Sequence, residues 1–347
     1  MKRLLIVLFV AAGAAHATTV RVHYAAAPGA LAIDSDKGPA RATGTSGGTD
    51  DPVWTFTWPD ALGAVALKPT LHGQPAKGGR YLVPAGASVD IYPFFRASAG
   101  TVEIMADVVS PQLHNSRALR IYYPPSYREN PAKRYPVLYM HDGQNLFDAK
   151  TAAFGVAWNI GATIDRLVAA GSMEEVIVVG IDNTGERIAE YTPCCDPKHG
   201  GGKLAAYEAF IADTVKPLID RRLRTLPGRE HTAIMGSSLG GLASVAIAAH
   251  RPQLFSMAAG LSSSFWWDGG ALIKQPPGPL PVRWYLDAGT IDDGLADSEA
   301  MRDALLTQGY VDGADLMFYT APGGKHNEAS WSARVDKPLR WFFPWNR

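Results

Sequence analysis

The segment Met235-Gly236-Ser237-Ser238-Leu239-Gly240-Gly241 combines residue types and spacing that can do chemistry. It reads Gly-x-Ser-x-Gly with Ser238 central, between an apolar run at His231 to Met235 and helical spacing from Leu239 to about Ala249. A strand-to-helix turn this tight leaves little room for side chains two residues before and after the serine, and glycine fills both places. Ser238 is thereby thrust out over a helix N-terminus. The helix dipole and the Leu239 N–H then face any oxyanion that forms there. Ser237 fails the frame, because its own flanks are Met235 and Leu239.

A serine needs a base. In this strand-turn-helix setting the acid and then the histidine follow the serine along the chain. Of nine histidines, only His250 and His326 lie beyond Ser238, and His250 comes too early to follow an acid. His326 is therefore the expected base, in the loop Pro322-Gly323-Gly324-Lys325-His326-Asn327. Candidate acids are Asp268, Asp287, Asp292, Asp293, Asp297 and Glu299. The run Asp287 to Gly294 follows an apolar strand pattern. Asp287 reads as a structural strand end, Asp292 as the acid and Asp293 as its alternative. The acid would hold His326 in one tautomer and stabilise the imidazolium. A second oxyanion donor is expected from the backbone N–H of Gln144, in the loop Met140 to Asp148, where Gly143 makes the turn. Asp142 reads as a substrate-pocket residue or, with Asn145, as a cap on loop backbone.

Positioning these groups requires a series of strands and helices. Pro136 to Met140 and Val176 to Ile181 are continuous apolar runs, as in strands buried on both faces. Leu204 to Leu223 has helical spacing, as do Ser298 to Gln308 and Trp331 to Trp341. Met257 to Leu261, Val282 to Leu286 and Leu316 to Thr320 read as strands. Strands alternating with helices predict a mostly parallel, helix-covered sheet. Before about residue 98 the pattern differs. Thr19 to Tyr24 and Trp54 to Trp58 alternate apolar and polar residues, Ala64 to Leu67 and Ser88 to Tyr92 are shorter strands, and 25–52 reads as loop. Residues 18–97 are thus predicted to be a small all-β sandwich, and 98–347 the α/β unit. Trp54, Phe56, Trp58, Tyr81, Tyr92, Phe94 and Phe95 supply either its core or a sugar-stacking platform.

Composition narrows the classes further. Hydrophobic residues make up 47% of the 347 and charged residues 19%, which excludes a disordered chain. Lys+Arg and Asp+Glu number 33 each, so the basic excess of a dedicated nucleic-acid binder is missing. Lys2 and Arg3, the apolar stretch Leu4 to Ala12 and Ala15-His16-Ala17 have the order of an export signal over residues 1–17. No later run has the ~18 apolar residues of a membrane span. The two cysteines, Cys194 and Cys195, are adjacent, so they form a vicinal bond or stay free thiols, and no metal-type spacing exists.

Tyr135 to Asp148, Gly180-Ile181-Asp182-Asn183, Gly236 to Gly241, Ser264-Phe265-Trp266-Trp267 and Gly323-Gly324-Lys325-His326 together resemble the esterase D-type α/β-hydrolases. That group includes feruloyl and acetylxylan esterases, enterochelin-type esterases, S-formylglutathione hydrolases and mycolyltransferases. The resemblance covers residues 101–347. It implies an α/β-hydrolase fold and serine ester hydrolysis, with Ser238 and His326 matching nucleophile and base. The acid loop varies within the group and leaves Asp292 and Asp293 both open. The resulting expectation is an exported serine esterase acting through an acyl-enzyme, with no cofactor or metal, on a small-molecule or polysaccharide ester. Acyl groups on carbohydrate are the expected substrate. Siderophore esters are the alternative, with Lys150, Arg187, Lys203 and Lys325 as anion contacts, and acyl transfer is a further one. Trp266 and Trp267 are expected to wall the substrate pocket or to pack. Arg187, Glu190 and Tyr191 line the site or its rim. A binding protein on a hydrolase fold is disfavoured because all three triad residue types are present.

Overall fold

A computed structural model describes residues 17–48, 51–59 and 62–345. The expected export signal lies outside the described residues, apart from Ala17. Contacts divide the chain into two compact units. One runs to Phe95 and takes in Asn130–Ala132; the other holds Arg96–Glu129 and the chain from Lys133 onward.

The first unit is built of β1 (Thr18–His23), β2 (Leu31–Ser35), β3 (Gly44–Ser46), β4 (Val53–Trp58), β5 (Val65–Leu71), β6 (Gln74–Pro75), β7 (Tyr81–Val83) and β8 (Ser88–Ile91). One sheet has the order β3-β4-β1-β8; in the other β5 pairs with β2, β6 and β7. Val20, Val22, Trp54, Phe56 and Trp58 from the first sheet share a single core with Leu31, Ile33, Val65, Leu67 and Val83 from the second. The inward alternation of β1 and β4 is what closes this sandwich. Trp54, Phe56 and Trp58 are therefore core residues and form no sugar platform. The stretch 25–52 is not all loop. Leu31-Ala32-Ile33 alternates over too few residues to stand out among the surrounding glycines and serines, yet pairing with β5 makes it a strand.

The second unit contains β9 (Thr101–Ser110), β10 (Asn115–Tyr123), β11 (Val137–His141), β12 (Ile177–Ile181), β13 (Thr232–Ser237), β14 (Met257–Leu261), β15 (Arg283–Ile291) and β16 (Leu316–Lys325). They form one sheet in the order β16-β15-β14-β13-β11-β12-β10-β9. β11 to β16 are parallel, whereas β10 runs antiparallel to β9 and β12. Every residue of β11, β12, β13 and β14 is buried, so helices cover both faces, as the apolar runs require. The chain passes from β11 to β12 on one side and returns to β13 on the other. The crevice beyond the carboxyl ends of β11 and β13 is therefore a topological switch point, where open α/β sheets bind ligands. Among the described residues no helix is long and apolar enough to cross a membrane.

Two expected helices are interrupted. Leu204–Ala209 and Lys216–Arg222 flank a wider π-type turn at Phe210–Val215. Pro217 has no N–H for the usual bond back to Asp213, and the wider turn absorbs that loss. The closing segment breaks into Glu328–Ser332 and Asp336–Phe342. Pro338 cannot donate to the Arg334 carbonyl, which sits in the break. The glycine-rich segment before His326 is not a loop but a continuation of β16, paired with β15 through an irregular register.

Candidate active site

Ser238 stands between β13 and the helix Leu239–His250, at φ 57° and ψ −125°. A non-glycine residue seldom holds this conformation, and here hydrogen bonds impose it. The Ser238 N–H donates to the Leu261 carbonyl at 3.0 Å. Its own carbonyl accepts from the N–H groups of Ser264, Gly241 and Leu242 at 3.0–3.1 Å. The flanking glycines are required by close approach. A Cβ on Gly236 would lie 2.7 Å from the Gly240 carbonyl carbon and 2.9 Å from the His141 ring; one on Gly240 would lie 3.2 Å from the His141 Cβ.

His326 follows β16 directly. Its Nε2 is 2.9 Å from Ser238 Oγ, and its Nδ1 is 2.9 Å from Asp293 Oδ1. Trp331 packs edge-on against the ring, with centroids 5.1 Å apart. The carboxylate that meets His326 is that of Asp293, the alternative in the sequence reading, and not that of the favoured Asp292. The strand β15 does not stop at Leu286 but runs to Ile291, and Asp292 then turns through a left-handed conformation at φ 46°. That turn leaves Asp292 exposed and directs Asp293 inward, 2% exposed. Asp287 lies in the middle of the strand, buried. Burial opposes ionisation of Asp293. Hydrogen bonds from His326, Ser262 and the Gly289 N–H, with the Arg334 charge, outweigh it and hold its pKa below the usual carboxylate range. Gly289 and Gly324 permit this meeting of acid and base segments, since a Cβ on Gly289 would collide with the Gly324 carbonyl.

The loop after β11 approaches from the other side of Ser238. Asp142 adopts φ 56°, and Gly143–Asn145 forms a single turn. A Cβ on Gly143 would lie 2.6 Å from Asp182 Oδ1. The Gln144 side chain accepts from the Asn183 N–H at 3.1 Å, which fixes the turn that carries the Gln144 amide. The backbone N–H groups of Gln144 and Leu239 donate to none of the described residues. Asp142 is an anchor of this loop: it accepts from Arg187 at 2.7 and 2.8 Å and from Asn183 at 2.5 Å. Behind it His141 is fully buried, with Nδ1 2.9 Å from the Tyr207 hydroxyl. Burial pushes its pKa down to about 4, so the ring is neutral.

The remaining expected residues separate. Trp267 is 2% exposed and donates to the Pro193 carbonyl, so it packs rather than lining a pocket. Trp266 is 44% exposed, edge-on to His199 and two residues from Ser264, whose hydroxyl is 3.3 Å from Ser238 Oγ. Tyr191 is buried and its hydroxyl accepts from the Asp142 N–H. Glu190 is buried against Arg117. Arg187 is taken up by Asp142 and Lys203 by Glu186, while Lys150 and Lys325 are exposed. Cys194 and Cys195 form a vicinal disulfide. Among the described residues no cluster of His, Cys, Asp and Glu is arranged to hold a metal ion. Ser262, Trp331 and Arg334, which meet Asp293 or His326, carry no local sequence signal.

Comparison with known proteins fits this geometry. A family model described as "Putative esterase" matches residues 110–342. The iron(III) enterobactin esterase of Dickeya dadantii is 25% identical over 256 residues, 68% of this chain; the chain spans 53% of that relative's length. A ferulic acid esterase structure superposes with a TM-score of 0.57 at 22% identity, covering 71% of this chain and 98% of its own. The enterobactin esterase of Shigella flexneri, crystallised in the presence of enterobactin, gives a TM-score of 0.56 at 16% identity over 90% of this chain and 87% of its own.

Proposed function

We propose, from the premise that the chain belongs to this esterase family and is a carboxylic ester hydrolase, that Ser238 is its nucleophile, His326 its general base and Asp293 the carboxylate that orients the base. The observation that carries this reading is the pair of 2.9 Å hydrogen bonds linking Ser238 to His326 and His326 to Asp293. Ser238 Oγ attacks the ester carbonyl while His326 Nε2 takes its proton. The Leu239 and Gln144 amides receive the oxyanion, each donor of this kind contributing on the order of 10²–10³ in rate. His326 then gives the proton to the departing alcohol, leaving an acyl-enzyme that water, activated by the same imidazole, hydrolyses. Ser238→Ala should lower kcat on a p-nitrophenyl ester by roughly 10⁴ or more, whereas Ser237→Ala should cost far less. Equal losses would overturn the assignment.

The protein works outside the cytoplasm, as the basic and apolar order of residues 2–17 suggests. Its substrates are acyl groups on carbohydrate, with exposed Trp266, two residues beyond the Ser264 that meets Ser238, as a stacking surface for a sugar ring. A siderophore ester is the second reading. It is favoured by the reach of the fold likeness to the Shigella flexneri enterobactin esterase, over 90% of the chain against 71% for the ferulic acid esterase. Turnover of acetylated xylan and methyl ferulate beside a ferric catecholate triester decides between them. A higher kcat/KM on the triester would displace the carbohydrate reading.

A further inference from the structure

The carboxylate behind His326 is not the only buried charge there. Asp287 and Asp293 both lie in the interior, and one guanidinium, Arg334, stands between them. Arg334 Nη2 is 3.0 Å from Asp287 Oδ1, 3.2 Å from Asp293 Oδ2 and 2.6 Å from Ser262 Oγ, to which it donates. The Ser262 hydroxyl also accepts from Trp331 Nε1 at 2.8 Å and donates to Asp293 Oδ2 at 2.6 Å. Tyr285 donates to the other oxygen of Asp287 at 3.0 Å. Arg334 Nε and Nη1 have no hydrogen-bond partner among the described residues. Arg334 thus brings a single nitrogen to Ser262, Asp287 and the inner oxygen of Asp293, whose outer oxygen meets His326.

Asp293 meets the imidazole directly, and Asp287, on the far side of Arg334, adds a second negative charge to the same buried cluster. Arg334 offsets one of those charges. Resting on the triad reading above, we infer that Arg334 is a positioning residue that fixes the orientation of Asp293 and offsets part of the negative charge behind His326, with Asp287 acting against it. The charges that face this group are few. His326 also meets Ser238 and the edge of Trp331, and the buried Glu328 and the Asp142–Arg187 pair lie within electrostatic range of the site. Asp336 contributes on the Tyr285 side. Burial raises Asp287 to about 6, so its opposition to Arg334 grows as neutral pH is approached.

The test is the pH dependence of kcat/KM on p-nitrophenyl acetate for the parent, Arg334→Met, Arg334→Lys, Asp287→Asn and the Asp287→Asn/Arg334→Met double variant. Arg334→Met should move the acidic limb up by about one pH unit, since removing a nearby cation favours the imidazolium. Arg334→Lys should leave the limb within a few tenths of the parent. Asp287→Asn should move it down by several tenths, and the double variant should lie between the parent and Arg334→Met. If Arg334→Met fails to fold, the double variant measured against Asp287→Asn isolates the same charge, and a rise of about one unit is again expected. Limbs that stay fixed while thermal stability falls would overturn the inference and leave Arg334 a structural residue. Failure of the triad itself reads differently: Ser238→Ala would then retain activity whatever Arg334 does.

Discussion

Asp292 and Asp293 are neighbours in sequence but occupy different solvents, one exposed on a left-handed turn and the other enclosed by Ser262, Gly289 and Arg334. Removing the orienting acid of such a triad costs about 10⁴ in kcat. Asp293→Asn is therefore expected to lose several orders of magnitude in steady-state turnover. Asp292→Asn should stay within about threefold, since asparagine tolerates the left-handed region. A reversal would return the role to Asp292. His141 makes a second prediction at this scale. Its folded pKa, about 4, lies below the ordinary value of 6.5. Between those values the unfolded chain binds a proton that the folded chain refuses, so His141 withdraws stability as pH falls from 6.5 toward 4. The full effect is on the order of 3 kcal/mol. Chemical denaturation at pH 7 and pH 4.5 should show a smaller acid loss in His141→Gln than in the parent. Equal losses would mean that His141 is protonated in the folded state.

At the scale of elements, the site depends on places where backbones meet without side chains between them. Gly236→Ala drives a methyl into the Gly240 backbone and His141, and should destabilise the protein by about 1–3 kcal/mol in urea unfolding. Gly185, in the loop after β12, has open space around it, and Gly185→Ala should stay within about 0.5 kcal/mol of the parent. Similar losses in both would mean that the elbow can relax. The elbow and the doubly buried strands were legible because each is local: a glycine frame, or five apolar residues in a row. His326 followed from chain order. The choice of Asp293 was not legible, since it depends on how far β15 continues alongside β16 and on the register shift after Gly289. Arg334 was hidden in a run with helical spacing, and only the break before Pro338 turns it inward. β2 and β3 had too few apolar positions to be read at all.

At the scale of the whole molecule, the two units hold separate cores, one of β-sandwich residues and one around the eight-stranded sheet. Every residue of the proposed triad and oxyanion donors belongs to the second. A chain starting at Ala99 is expected to keep kcat on p-nitrophenyl acetate within about threefold. Loss of turnover in a chain that still folds would make the sandwich part of the catalytic apparatus. Ser238 imposes a different consequence on the molecule. Its positive φ is held by four backbone hydrogen bonds that would form as well around a glycine, for which that conformation carries no steric penalty. Ser238→Gly should therefore be catalytically dead and yet melt above Ser238→Ala by about 2–4 °C, the equivalent of roughly 1 kcal/mol in a unit of this size. A nucleophile at Ser238 thus keeps in place a side chain whose removal would let the elbow relax, and the sequence sits below the stability its own architecture permits.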